Sequence, residues 1–248
     1  MAQALLTHGG YEARRAASDA DRDRAFALRY RAFVDPKGQG RERDGFDGLF
    51  DHVLIERAGE VVGTYRYAVF DNMALVSKGY SSQHYDLAPL ARTEGKAMEM
   101  GRFCLAPEVH DADVLRVAWG AMAALVDRAD VKLLFGCSSF PGVDPNPYHD
   151  AFALLARDYQ SAPGMRVGRK SREIVTFPDA TPDPQVARAA LPPLLRTYLG
   201  MGGWVSDHAV VDRQMGTLHV FTGVEIDRVP PARARALRVL ANGSHGTD

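Results

Sequence analysis

"KAMEMGRFCLAPEVHDADVLRVAWGAMAALVDRADVKLLFGCSSF" (residues 96–140) decides the fold class. Its opening, "KAMEMGRFCLA", reads as a strand closed by Pro107, which has no N–H to continue a ladder. From Asp111 to about Arg128, Leu115, Trp119, Met122 and Val126 recur at helical spacing and mark one apolar stripe. "VKLLFGCSSF" is too apolar for a half-exposed strand and suits a buried, parallel one. Strand, helix and buried strand in that order make a crossover unit and predict a mixed α/β protein.

Upstream, "SDADRDRAFALRYRAFV" predicts a helix capped by Ser18 or Asp19, with Phe26, Tyr30 and Phe33 at helical spacing. "HVLIERAGEVVGTYRYAVF" reads as two strands joined at Ala58-Gly59-Glu60. Downstream come a helix at about 148–159, the turn-rich "FPDATPDPQ" (177–185) and a short helix after 184. "LPPLLRTYLGMGG" then ends on a glycine stop, and two strands follow around 204–211 and 217–226. We find no internal repeat and no long linker. The expectation is one domain over residues 1–240 and an unstructured tail over 241–248, where "ANGSHGTD" has almost nothing to bury.

The chain has 248 residues, 46% hydrophobic and 25% charged, with a formal net charge of −1. That balance gives no overall pull toward nucleic acid. No apolar run approaches the roughly 18 residues that span a bilayer. "MAQALLTHGG" offers no basic region of a secretory signal, so Cys104 and Cys137 are expected reduced, in the cytoplasm.

Four stretches could carry chemistry. "LFGCSSFPGVDP" (134–145) resembles a nucleophile loop, but Gly136-Cys137-Ser138-Ser139-Phe140 lacks the second glycine of a serine elbow. A covalent role for Cys137 also needs a base and an orienting group that spacing does not supply. We therefore expect this strand end to bind, not to attack. "RERDGFDGLFDH" (41–52) gathers Glu42, Asp44, Asp47 and Asp51 without the spacing of a calcium loop. It reads either as a solvated acidic loop or as a site for a cationic amine. "MEMGRFCLAPE" (98–108) places Glu99 and Arg102 in an apolar strand, where an unpaired charge is costly. Strict alternation sends them to opposite faces unless a bulge at Gly101 re-aims one. They read as an internal ion pair or as a carboxylate poised as general base. "RVGRKSRE" (166–173) has four basic residues, a solvated edge or a landing patch for an acidic partner or anionic lipid. His110 and His149 lie near turns, no histidine or cysteine spacing suggests a metal, and none is assigned.

"LRYRAFV", "RERDGFD", "VVGTYR", "EMGRF" and "LFGCSSFPGVDP", with "LPPLLRTYLGMGGWVSDHAVVDRQMGTLHVFTGVEID", together resemble the bacterial ornithine lipid N-acyltransferases. The likeness runs from roughly residue 10 to residue 230. It implies a Gcn5-related fold, a central mixed sheet flanked by helices with two splayed parallel strands. It also implies transfer of a 3-hydroxyacyl group from acyl carrier protein to the α-amine of ornithine, giving lyso-ornithine lipid. The first four stretches also resemble acyl-homoserine-lactone synthases, which leaves lactone synthesis, or acylation of glutamine or another amino acid, as alternatives.

From the resemblance come the expected site residues. Glu99, Asp44 and Arg102 would be catalytic. Arg29, Phe33, Asp47, Arg66, Phe103, Gly136, Cys137, Ser138, Ser139 and Phe140 would bind substrate. The expected donor carries phosphopantetheine on its carrier, with no resident cofactor. Coenzyme-A enzymes of this fold hold pyrophosphate in a glycine-rich loop. Here "APEVHDADVLR" has no glycine and three acidic residues, which favours the carrier. The basic run at 166–173 permits peripheral contact with the inner face of the cytoplasmic membrane.

Overall fold

The computed structural model describes residues 4–242. Along the chain lie β1 (Ala4–His8), β2 (Tyr11–Arg15), α1 (Asp19–Phe33), β3 (Asp51–Arg57), β4 (Glu60–Phe70), β5 (Tyr85–Asp86) and β6 (Lys96–Leu105). There follow α2 (Ala112–Ala129), β7 (Val131–Pro141), α3 (His149–Asp158), β8 (Gly168–Arg169), β9 (Ile174–Thr176), α4 (Pro184–Ala190) and α5 (Pro193–Gly200). β10 (Trp204–Val205), β11 (His208–Asp212), β12 (Thr217–Glu225) and α6 (Pro231–Asn242) complete the order. The chain divides into two compact units. Residues up to Ala68, Met100–Val131 and the segment from Pro231 form the first; Val69–Glu99 and Lys132–Pro230 form the second.

In the first unit the strand order is β1-β2-β3-β4 and then the second half of β6. β1 to β4 are antiparallel neighbours throughout. The β3–β4 turn is the predicted hairpin: Ala58 and Gly59 both take positive φ (49° and 82°), as a two-residue turn matched to strand twist requires. Ser18 caps α1 by accepting from Asp21 N at 3.1 Å. Ala25, Leu28, Leu54, Val61, Cys104 and Ala106 close one core cluster of this unit. α2 forms as predicted, and Trp119, Met122 and Val126 of the expected stripe are buried, but so are Val114, Val117, Ala118, Ala121 and Leu125, while Leu115 is 39% exposed. The helix packs on β1, β2 and α6, so partners on two sides rotate the buried face away from Leu115. The β1–β2 hairpin and α6 were not legible: two five-residue strands and an arginine-rich helix carry little periodic signal.

In the second unit the order is the first half of β6, then β7-β12-β11-β9, with β10 also on β12. β7 pairs antiparallel with β12 along its length, from Leu133↔Glu225 to Pro141↔Thr217. One sheet face carries Phe140, Leu218, Val220 and Ala209 into a core with Phe152 of α3, Ala187 of α4 and Leu195 of α5. α5 ends where the glycine stop was expected: Gly202 has φ 82°, and a Cβ on Gly203 would lie 2.7 Å from Tyr198 O. Between β4 and β6 the chain makes short 3-10 turns, among them Tyr80–Gln83. The proposed tail begins inside α6; residues 243–248 lie outside the described residues. Among the described residues no helix is long and apolar enough to cross a membrane.

Candidate active site

In the first unit the sequence-predicted charges meet one another. Arg29, on the buried side of α1, donates to Asp47 Oδ1 at 2.5 Å and Oδ2 at 3.2 Å, and pairs with Glu42. Arg66 of β4 donates to Asp44 Oδ1 at 2.5 Å, Asp44 Oδ2 at 2.8 Å and Asp47 Oδ1 at 2.6 Å. Arg102 donates to Glu42 Oε1 at 3.2 Å and Asp44 Oδ2 at 2.9 Å. Three guanidinium groups thus face three carboxylates. The loop adds its own bonds, Asp44 N to Asp47 Oδ2 and Phe46 N to Asp44 Oδ1, both 2.8 Å.

Arg29 and Arg66 are each 1% exposed. Burial alone would raise Asp47, but hydrogen bonds from Arg29 and the Asp44 amide hold its carboxyl at about 2. Asp44 is likewise low, burial being outweighed by Arg66 and Arg102. Arg102 reaches the network because its own backbone is left-handed, at φ 53°. Such a backbone costs a non-glycine residue about 1–2 kcal/mol, and it re-aims the side chain where strict alternation would not. The expectation that Arg29 or Arg66 anchors an acceptor carboxylate, or that Asp44 and Asp47 hold its amine, meets a closed set of partners. An entering ligand would have to displace an internal ion pair. Phe33, at the end of α1, packs half-buried on the Ala25–Leu28–Cys104 cluster. Phe103 stacks on Tyr65, centroids 6.1 Å apart.

Glu99, in the second unit, has different partners. Its carboxylate accepts from Tyr80 N at 2.8 Å, Ser81 N at 2.6 Å and Ser81 Oγ at 2.5 Å. It therefore holds the orphan amides at the start of the Tyr80–Gln83 turn, the part a capping side chain plays. Gly79 makes room for it: a Cβ there would lie 2.0 Å from Glu99 Oε2. Ser81 Oγ also touches Cys137 Sγ at 3.4 Å. Glu99 is 2% exposed, and its side chain serves first as an anchor.

The strand end divides by face. Cross-strand partners share a face and successive residues alternate. Cys137↔Phe221 and Ser139↔His219 lie on the Glu99 side. Ser138 and Phe140 lie on the core side. Phe140, expected in the substrate wall, is fully buried beside Tyr148 and Phe152, and Ser138 accepts from Thr222 Oγ1 at 2.9 Å. Alternation forbids all five consecutive side chains from lining one wall. Gly136, opposite Thr222, contributes backbone alone.

The structure adds residues that no spacing pointed to. His84 follows the Tyr80–Gln83 turn, and its ring meets that of His219 with centroids 4.8 Å apart. His84, Asp212 and His219 each bring one potential ligand atom within 4.8 Å of the others. His84 lies 128 positions before Asp212, so sequence distance hid its place beside the other two. Lys170, from the basic run, donates to Ser82 O at 2.6 Å, and Ser171 N donates to His84 O at 3.1 Å. Part of that run therefore clips the turn in place, while Arg166, Arg169 and Arg172 remain exposed.

The start of α2 has no anion cradle. Asp111 caps it by accepting from Asp113 N at 2.9 Å and also takes the Tyr11 hydroxyl at 3.0 Å. Two carboxylates there oppose a pyrophosphate.

Comparison with known proteins places this geometry. Residues 22–120 match the family model described as an acetyltransferase (GNAT) domain. The L-ornithine N(alpha)-acyltransferase of Rhizobium meliloti (strain 1021) is 31% identical over 88% of this chain and 81% of its own length. That of Rhodobacter capsulatus is 31% identical over 83% of this chain and 86% of its own. The solved structure of TofI in an apo form covers 96% of this chain and 99% of its own, at 16% identity and a TM-score of 0.52, a likeness of fold. Together with the mixed α/β architecture, these matches show that the chain belongs to the L-ornithine N(alpha)-acyltransferase family, acyltransferases with a GNAT domain.

Proposed function

We propose that this protein transfers a 3-hydroxyacyl group from acyl carrier protein to the α-amine of L-ornithine, forming lyso-ornithine lipid. The observation that carries this is the 31% identity, over most of the chain, to relatives that bear the ornithine acyltransferase name. The carrier donor is favoured by the carboxylate-capped start of α2, which suits a single pantetheine phosphate better than a pyrophosphate. The pantetheine arm would pair with backbone of β7 like an added strand. Gly136, Cys137 and Ser139 would line its wall. Each buried methylene of the acyl chain contributes about 0.8 kcal/mol, so an apolar slot suffices to hold it.

In the reaction the neutral α-amine attacks the thioester carbon, a β7 backbone amide meets the oxyanion, and the C–S bond breaks to release the pantetheine thiol. The amine must shed one proton. Glu99 would receive it through a bridging water once the Ser81 hydroxyl has rotated away from Oε1; the two amide donors can stay. The charge network of Arg29, Asp44, Asp47, Arg66 and Arg102 would act as scaffold. Arg166, Arg169 and Arg172 would rest on an anionic inner-membrane surface, where the product belongs.

Expression in a bacterial host that makes no aminolipid, followed by lipid mass spectrometry, tests the reading. An ornithine-headed monoacyl species is expected. A lactone, or an acylated glutamine with no ornithine product, would overturn the acceptor assignment. Glu99→Gln should lower kcat by 10²-fold or more while donor binding persists.

A further inference from the structure

We propose that His84, Asp212 and His219 form a binding site for one divalent transition-metal ion, with Zn²⁺ as the ion its donors suit. The sheet register builds two of the three positions. Val210 pairs with His219 and Asp212 with Thr217, so Asp212 and His219 are diagonal neighbours on one face of β11 and β12. His84 closes the set from above, at the end of the Tyr80–Gln83 turn, with its ring against His219. The three donor atoms lie within 4.8 Å of one another, close enough for one ion to draw them in.

Hydrogen bonding orients the ligands as metal sites require. The Tyr85 hydroxyl has a single proton, and it goes to the His219 carbonyl oxygen at 2.8 Å. Tyr85 Oη is therefore the acceptor for His219 Nδ1–H at 3.1 Å. That assigns the proton to Nδ1 and the lone pair of His219 to Nε2, with the phenol as outer partner. His84 Nδ1 likewise faces Ser171 Oγ at 3.5 Å. Asp212 uses Oδ1 to accept from Met215 N at 3.0 Å, which points its carboxylate from a fixed turn.

Two imidazoles and a carboxylate make a borderline donor set, three protein ligands with room for a fourth. His84 and Asp212 are only half-buried, which gives an ion a way in. The consequence is a clasp: the turn that Glu99 holds at its start would be tied at its end to β11 and β12.

The test uses the full chain stripped with a chelator and dialysed. One equivalent of Zn²⁺ should bind by calorimetry, and a hundredfold excess over Kd should raise Tm by roughly 5–10 °C. Co²⁺ in its place should give the ligand-field bands of a four- or five-coordinate site. His84→Gln and Asp212→Asn should each weaken binding at least about tenfold. Asp212→Asn keeps the oxygen that takes Met215 N, so it remains decisive should His84→Gln fail to fold. No binding by the stripped protein, or binding by the folded variants as tight as by the parent, overturns the site.

Discussion

Replacing Asp47 with asparagine probes what holds the first unit together. The carboxylate accepts hydrogen bonds from Arg29 Nη1 and Nη2, Arg66 Nη1 and Asp44 N, and its side chain is 7% exposed. Losing its charge leaves two guanidinium groups, each 1% exposed, short of a counter-charge. Breaking a buried pair in this way costs about 3–5 kcal/mol. The titration behaviour supplies an independent magnitude. Holding the carboxyl at about 2 against an ordinary 3.8 corresponds to roughly 2.5 kcal/mol. Because the folded value is depressed, that stabilisation is fully present above pH 3.8 and is lost as pH falls through 2.

Urea unfolding followed by far-ultraviolet circular dichroism, at pH 7 and at steps down to pH 2, should therefore show two things. Asp47→Asn should be less stable than the parent by about 3 kcal/mol at neutral pH, and the gap should close in acid. KM for the amino-acid acceptor, measured where both proteins are folded, should change little. A gap below about 1 kcal/mol, or one unaltered by pH, refutes the network as a source of stability. A large rise in KM with parental stability would return Asp47 to acceptor binding.

Gly79→Ala puts a Cβ 2.0 Å from Glu99 Oε2 and should cost about 1–3 kcal/mol while lowering turnover; parental Tm and kcat would contradict the anchor role of Glu99. Phe140→Ala should cost about 3–5 kcal/mol in urea unfolding, because the ring is wholly in the core; a loss under about 1 kcal/mol would mean that it lines a cleft. Iodoacetamide should modify half-buried Cys137 in the folded protein and spare Cys104, whose thiol burial pushes up to about 12. Peptide mass spectrometry showing the reverse order would overturn that placement.

Periodicity in the sequence determined the elements that bury one clean face. The 58–60 hairpin, the strand–helix–strand run of residues 96–140 and the glycine stop after α5 are local statements, written in residues two to four positions apart. The quoted motifs also sufficed to indicate the acyltransferase family. The partners of the charged residues were another matter. Spacing placed Glu99 and Arg102 in one strand but could not show that a left-handed backbone turns Arg102 toward Glu42 and Asp44, nor that Glu99 caps a distant turn. Only the fold brings His84 beside Asp212 and His219, or sends Phe140 and Ser139 to opposite faces. Hydrophobic burial acts without direction and leaves a repeating trace along the chain. Hydrogen bonds and ion pairs act over about 3 Å between groups whose meeting depends on every turn and register shift between them.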